Sequence, residues 1–433
     1  MHRVESVVKV YIETYGCALN KADSLTMKKL LLENGYEVVD SAEDADVLII
    51  NTCVVRYDTE VRMFNRIEKM LKLGKKVIVT GCMTRVYPFK LRSMDSTLSL
   101  VSPQSVDKIV DVIRASKPVN LFDDMKRFSV LPEIVDGVVA TIPIAEGCLD
   151  ECSFCVVKIA RPHLSSVPIE RIVETFKRVL NMGAVEIELT AQDLAVYGYD
   201  IYGRYALPDL LRRLLELERE DFVIRLGQMN PRHLVYFLDD IIDILRDPRV
   251  YKHLHIPVQS GNNRVLNLMN RGHGVELFLD IVRELRAKIE GIHIATDIIV
   301  GHPGEDEEAF ADSVRLIADN YIDRVHIARY SPRPQTRSSL MSQVPDPVKK
   351  KRSSYIERVY EAYALGINMD YVGSIAKVWI TELDKKRGRA IGRLFNYRPV
   401  VLDVGEEALG RRAYARIEDA TFFDLRGSLV GYV

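Results

Sequence analysis

Residues 147–155 read GCLDECSFC, which places Cys148, Cys152 and Cys155 at CxxxCxxC spacing in one loop. Ahead of the loop, residues 138–144 (VVATIPI) form a short apolar run of strand character. Behind it, Pro168 opens an amphipathic helix with Ile169, Ile172, Val173, Phe176 and Leu180 on one face, and Gly183 closes it before a strand at 185–189. Further strands are predicted at 223–226, 253–258, 292–300 and 324–330, separated by helix-length segments. This β/α repeat predicts a barrel whose chemistry sits on the loops after the strands. The Cys148 loop, Gln192-Asp193 and Gln259-Ser260 should then share one mouth.

Three thiolates are one too few to close a [4Fe-4S] cluster. One iron is left to chelate the amino and carboxylate groups of S-adenosylmethionine (SAM) and to deliver an electron that splits its carbon–sulfur bond. A structural zinc site would want a fourth Cys or His, which nothing adjacent supplies unless His163 folds back.

The first hundred residues alternate short apolar runs with helical patterns, the mark of a doubly wound α/β domain. Strands are predicted at 8–14, 47–51 and 77–80, and a cysteine follows each: Cys17, Cys53 and Cys82. A helix over 22–34, stopped by Gly35, separates the first two. Parallel strands put the three cysteines on one rim, where open α/β sheets bind ligands. Singly, each also reads as a small buried hydrophobe. A Pro- and Ser-bearing stretch at 102–132 looks like a link to the second domain, and residues 371–433 turn to short, glycine-punctuated β runs that predict a small β-barrel.

The chain has 433 residues, 47% hydrophobic and 28% charged, enough for two or three domains. With no apolar N-terminal stretch and no segment of about 20 apolar residues, the expectation is a cytoplasmic protein that neither enters nor crosses a membrane. Six cysteines in a reducing cytosol point to metal or catalytic spacing rather than disulfides. A net charge of -1 gives no global pull toward polyanions. Locally, residues 324–358 carry nine Lys or Arg against two acids, and residues 371–433 eleven against eight. The first run can neutralise phosphates or be a solvated helix face; the barrel can bind oligonucleotides or be a structural cap.

The whole chain resembles the radical SAM methylthiotransferases. Tyr15-Gly16-Cys17, Asn51-Thr52-Cys53 and Thr80-Gly81-Cys82 match that family's auxiliary-cluster ligands, and Cys148, Cys152 and Cys155 match its radical SAM loop, with Phe154 at the usual aromatic position. LTAQDLAVYGYD (189–200), LGQMNP (226–231), HIPVQSG (255–261), ATDIIVGHPGE (295–305), YSPRPQTRSS (330–339) and QVPDPVKKKR (343–352) resemble the archaeal and eukaryotic subgroup acting on threonylcarbamoyladenosine at position 37 of tRNA.

The resemblance implies an N-terminal domain over 1–118, a partial (β/α) radical SAM domain over 138–365 and a TRAM domain over 371–433. It also implies two [4Fe-4S] clusters. One SAM would methylate sulfur held at the Cys17, Cys53 and Cys82 cluster. A second, cleaved at the Cys148, Cys152 and Cys155 cluster, would yield the radical that activates carbon 2 of the adenine. Arg161, Gln192, Asp193, Gln259 and Asp297 are the expected SAM contacts, although polar residues at strand ends also serve as caps and turn formers. Implied partners are the tRNA anticodon stem-loop, its adenosine unstacked, and an electron donor such as flavodoxin or ferredoxin, with the enzyme a monomer. Tyr and Arg residues of 330–337 are expected to meet the RNA. Where the family reads Ala-Arg-Gly, this chain has Ala160-Arg161-Pro162, losing one N–H donor. The competing readings are a methylthiotransferase for a prenylated tRNA adenosine or a ribosomal protein, and a non-enzymatic RNA-binding metalloprotein.

Overall fold

The computed structural model describes residues 7–125, 128–384 and 386–433; Lys385, one of the C-terminal basic residues counted above, lies outside them. The N-terminal sheet contains β1 (Lys9–Thr14), β2 (Glu37–Val39), β3 (Val47–Thr52), β4 (Lys76–Gly81), β5 (Ser99–Val101) and β6 (Asn120–Leu121). All pair in parallel, in the order β2-β1-β3-β4-β5-β6. The central strand β3 (VLIINT) is buried at every position, which is why it reads as a continuous apolar run. Helix α1 (Ala18–Glu33) begins a turn earlier than its sequence suggested, with Cys17 as N-cap. Polar Asn20 disguised that first turn, yet it is buried. The expected 102–132 link is partly built into this domain: Pro103–Lys108 and Ile109–Arg114 are helical, and β6 pairs with β5. Val106, Ile109, Val112 and Ile113 bury against the sheet, and that apolar surface outweighs the Pro and Ser signal.

The second unit is an incomplete barrel. Strands β7 (Val139–Pro143), β10 (Glu186–Thr190) and β11 (Val223–Leu226) form one parallel sheet, and β12 (His253–His255), β13 (His293–Val300) and β14 (Arg324–Arg329) another. Parallel bridges Ile224↔Val250 and Gln228↔His255 join them in chain order. Two short strands, β8 (Ala145–Glu146) and β9 (Ser165–Ser166), pair antiparallel and close the base of the cysteine loop. Apolar residues such as Ile187, Leu189, Leu254 and Ile294 belong to the core under the helices, whereas Arg225 pairs with Glu188, Tyr251 donates to Glu186 and His255 pairs with Asp297.

The last unit is a closed five-stranded barrel of β15 (Ile375–Asp384), β16 (Arg389–Leu394), β17 (Pro399–Leu402), β18 (Arg412–Ala420) and β19 (Leu425–Tyr432). It docks at the amino-terminal ends of the second unit's strands: Asn396 Nδ2 donates to the Gly291 carbonyl (3.0 Å), and Arg398 pairs with Asp323. No helix among the described residues is long and apolar enough to cross a membrane.

Candidate active site

Cys17, Cys53 and Cys82 follow the adjacent strands β1, β3 and β4, and Cys82 starts the short helix α3 (Cys82–Val86). They lie within electrostatic reach of one another: burial first, then Cys17, raises the Cys53 thiol. Burial pushes Cys82 up to about 12, with Arg161 pulling the other way. In the second loop burial likewise raises Cys148 and Cys155, and Cys152 adds to both. The three sulfurs of neither set all lie within 4.8 Å of one another. All-thiolate sets of this kind suit iron–sulfur chemistry.

Loop 147–164 is held from several sides. Gly147 has φ +81, and a Cβ there would lie 1.9 Å from the His163 carbonyl oxygen, so the CxxxCxxC turn excludes a side chain at this position. Gln192 Oε1 accepts from the Gly147 N–H (2.6 Å), and Lys158 Nζ donates to the Cys148 carbonyl (2.7 Å). Ser153 N–H donates to Met269 O (2.9 Å), and its hydroxyl sits 2.7 Å from Ser338 Oγ, which in turn meets His302 Nε2 at 2.8 Å.

The two cysteine sets are joined by a buried ionic network. Arg161 donates to Glu146 Oε2 (2.5 Å), immediately before the radical SAM loop, and to Asn20 Oδ1 (3.0 Å) and Asp23 Oδ2 (2.6 Å) in the first two turns of α1 after Cys17. Gln104 bonds Glu146 as well. The arginine and both carboxylates are at most 2% exposed at the side chain, and the guanidinium charge is held by Asp23 and Glu146 and by nearby Cys82 and Cys17. Expected at SAM, Arg161 is thus committed to the seam between the domains. Around it α3 packs on the helix Val157–Ala160, and Val156 and Ala160 join the N-terminal core.

The other expected SAM contacts fall at the strand ends. Asp193 is buried; its Oδ1 accepts from Ala195 N and Asn230 N (both 3.0 Å), its Oδ2 has no partner, and burial raises its pKa. A carboxylate oxygen of Asp193, one of Asp150 and Cys148 Sγ lie within 4.8 Å of one another. Burial pushes Asp150 up, but the hydrogen bond to His233, together with Arg232 and Arg271, holds it below its ordinary value. Gln259 adopts φ +79 while its backbone bridges to β13. Asp297 pairs with His255 Nε2 at 2.9 Å. Sequence reasoning missed Arg271, whose Nη1 lies 3.3 Å from Cys152 Sγ while Nη2 holds the Pro257 carbonyl at 2.7 Å. No local motif marks it, because it reaches the cysteine only across the fold.

The basic run at 324–358 is not a continuous path for RNA. Arg333 is buried against Glu60 (2.6 Å) and holds the Val55 carbonyl (3.0 Å), two residues past Cys53. Lys349 and Arg352 are buried too, Arg352 on Glu305 (2.9 Å) and Glu307 (2.8 Å). Tyr330 also faces inward, against His302. The expectation that residues 330–337 present Tyr and Arg to RNA therefore fails for Tyr330 and Arg333. Carboxylates brought from distant segments turned the cations inward. Arg329, Arg337, Lys350, Lys351 and Arg358 remain exposed.

Comparison with known proteins agrees with this geometry. Over residues 9–102 the chain matches the model of the uncharacterized protein family UPF0004, over 142–317 the radical SAM superfamily and over 370–430 the TRAM domain. It is 39% identical to a probable threonylcarbamoyladenosine tRNA methylthiotransferase of Pyrococcus horikoshii, across 98% of this chain and 100% of that protein. The chain belongs to the threonylcarbamoyladenosine tRNA methylthiotransferase family. Members from Archaeoglobus fulgidus (40% identical, 98% of this chain, 99% of the relative) and Drosophila melanogaster (34%, 98% and 79%) extend the family match. Among solved structures, the radical SAM methyltransferase TsrM from Kitasatospora setae, with cobalamin and a [4Fe-4S] cluster bound, shares the fold at TM-score 0.58 and 15% identity over 78% of this chain and 77% of its own. As a member of this family, the chain is a radical SAM enzyme using SAM and iron–sulfur chemistry.

Proposed function

We propose that this chain inserts a methylthio group at carbon 2 of N6-threonylcarbamoyladenosine at position 37 of tRNA, using two [4Fe-4S] clusters and two SAM molecules. The observation that carries this reading is the pair of three-cysteine sets joined through buried Arg161. Cys148, Cys152 and Cys155 would hold one cluster and Cys17, Cys53 and Cys82 the other; when bound, the first supplies the electron that cleaves SAM and the second carries the sulfur. An adenine C–H has no leaving group and no acidic proton, so acid–base residues alone do not suffice.

The protein's own part is positioning. Asp193, buried with a free oxygen, is an acceptor for SAM's ammonium group. Gln192 fixes the turn at Gly147, and Gln259 and Asp297 line the neighbouring strand ends. Arg161 offsets negative charge at the auxiliary thiolates. Its backbone N–H is satisfied by Val157 O (2.8 Å), so the N–H that Pro162 lacks lies outside this network. We assign units over 1–118, 138–365 and 371–433, a monomeric cytoplasmic enzyme, and reduction by a flavodoxin- or ferredoxin-class donor.

Anaerobically reconstituted protein should bind about eight irons per chain, and replacing Cys148, Cys152 and Cys155 with Ala should leave about half. Nucleoside mass spectrometry after incubation with SAM, reductant and threonylcarbamoylated tRNA should show the 2-methylthio product. Unchanged iron in the triple variant, or modification of another substrate only, would overturn the reading.

A further inference from the structure

The interior of the incomplete barrel holds a cavity of about 190 Å³ where the amino-terminal parts of its strands meet the C-terminal barrel, lined by His255, His326, Arg225, Arg324, Arg398 and Phe423 among others. Most of its cations are neutralised: Arg225 by Glu188, Arg398 by Asp323, and Arg393 by Glu382. Arg324 is the exception. It lies 3.8 Å over the Phe423 ring, and no carboxylate pairs with it among the described residues. His326 faces His255 at 5.3 Å between ring centroids.

His255, Asp297 and His326 bring ligand atoms within 4.8 Å of one another. A cation there would meet Arg271, within electrostatic reach of Asp297, and Arg324, within reach of His326. Two guanidinium charges repel a dication and attract an anion. Of the cavity's lining residues, His326 lies within electrostatic reach of Arg56, three residues past Cys53, and His255 pairs with Asp297, which lies within reach of Arg271, the residue that touches Cys152. At 190 Å³ it falls below the roughly 300–1,000 Å³ that encloses a whole drug-sized ligand, so it suits a substituent of the substrate rather than a nucleotide. Phe422, Phe423 and Pro399 supply part of the wall, but a prenyl substituent would desolvate the guanidinium of Arg324 and the imidazole of His326 and offer neither a partner, whereas a carboxylate satisfies both.

We propose that this cavity receives the threonyl carboxylate of the modified adenosine, with Arg324 and His326 as the residues that recognise it. This rests on the function proposed above and adds the determinant of substrate choice.

The test compares two anticodon stem-loop RNAs, one carrying threonylcarbamoyladenosine and one its uncharged threonine-amide analogue, with methylthio product measured by nucleoside mass spectrometry. Wild type should prefer the acid by roughly ten- to a hundred-fold in kcat/KM, as loss of a charge-assisted hydrogen bond implies. Arg324→Met should abolish that preference and His326→Phe reduce it, while Arg324→Lys keeps part of it. Because the acid-to-amide ratio is taken within each protein, partial unfolding cancels. Equal use of both RNAs by wild type, or an undiminished preference in Arg324→Met, would overturn this assignment and leave the proposed function standing. If wild type methylthiolates neither RNA but still cleaves SAM, the proposed function fails, and this assignment fails with it.

Discussion

Replacing Arg161 with Met probes the seam on which the two cysteine sets depend. The side chain is 0% exposed and pairs with Asp23 and Glu146, themselves 1% and 2% exposed. Two buried carboxylates share one guanidinium, and thiolates at Cys82 and Cys17 lie within its field. Removing the cation breaks both buried pairs, which costs about 3–5 kcal/mol for a broken buried pair. At about 2–4 °C per kcal/mol for a domain of 150–250 residues, melting should fall by roughly 6–20 °C. The assay is anaerobic calorimetry with hydrogen exchange at residues 17–24 and 146–161, where protection should drop first. Adding Asp23→Asn and Glu146→Gln to Arg161→Met should recover much of the loss, because the two buried negative charges are gone with the cation. A single-variant loss below about 1 kcal/mol, or no recovery in the combined variant, would refute the reasoning and reduce the network to a solvated ion pair.

Gly147→Ala forces a Cβ to 1.9 Å from a backbone carbonyl at φ +81, so the 148–155 loop should open and iron content fall by about half; full iron content would contradict this. Burial holds His302 down at about 4 against an ordinary 6.5, so as pH falls the unfolded chain takes up the proton first. Its stabilising contribution is therefore whole above about 6.5 and is lost toward 4, by up to about 1.4 kcal/mol per pH unit, and denaturation of His302→Asn should show a shallower acid decline than wild type. Arg412 lies 4.2 Å over Trp379 and Arg411 4.0 Å over Tyr432 beside an open groove of about 670 Å³. If that groove meets the tRNA backbone, Arg412→Ala should weaken binding and lower the salt dependence of log K by about 0.9, measured by titration across salt concentrations.

The sequence by itself determined the features that are local. Strand runs such as VLIINT, the Pro168-to-Gly183 helix and the CxxxCxxC loop depend on neighbouring residues, so periodicity, caps and spacing suffice to read them. A rim carrying Cys17, Cys53 and Cys82 followed from cysteines placed after parallel strands. Tertiary structure decided what each charge does. Arg161, Arg333 and Arg352 look alike in sequence to exposed Arg337, yet each is drawn inside by a carboxylate tens to hundreds of residues away. Arg271 reaches Cys152 from 119 positions downstream. Only the fold brings Arg324 against Phe423, with no carboxylate paired to it among the described residues. The physical reason is the cost of desolvating an ion: whether a guanidinium is solvent-facing or internal depends on whether chain closure delivers an anion to it, and that information is spread over the whole chain.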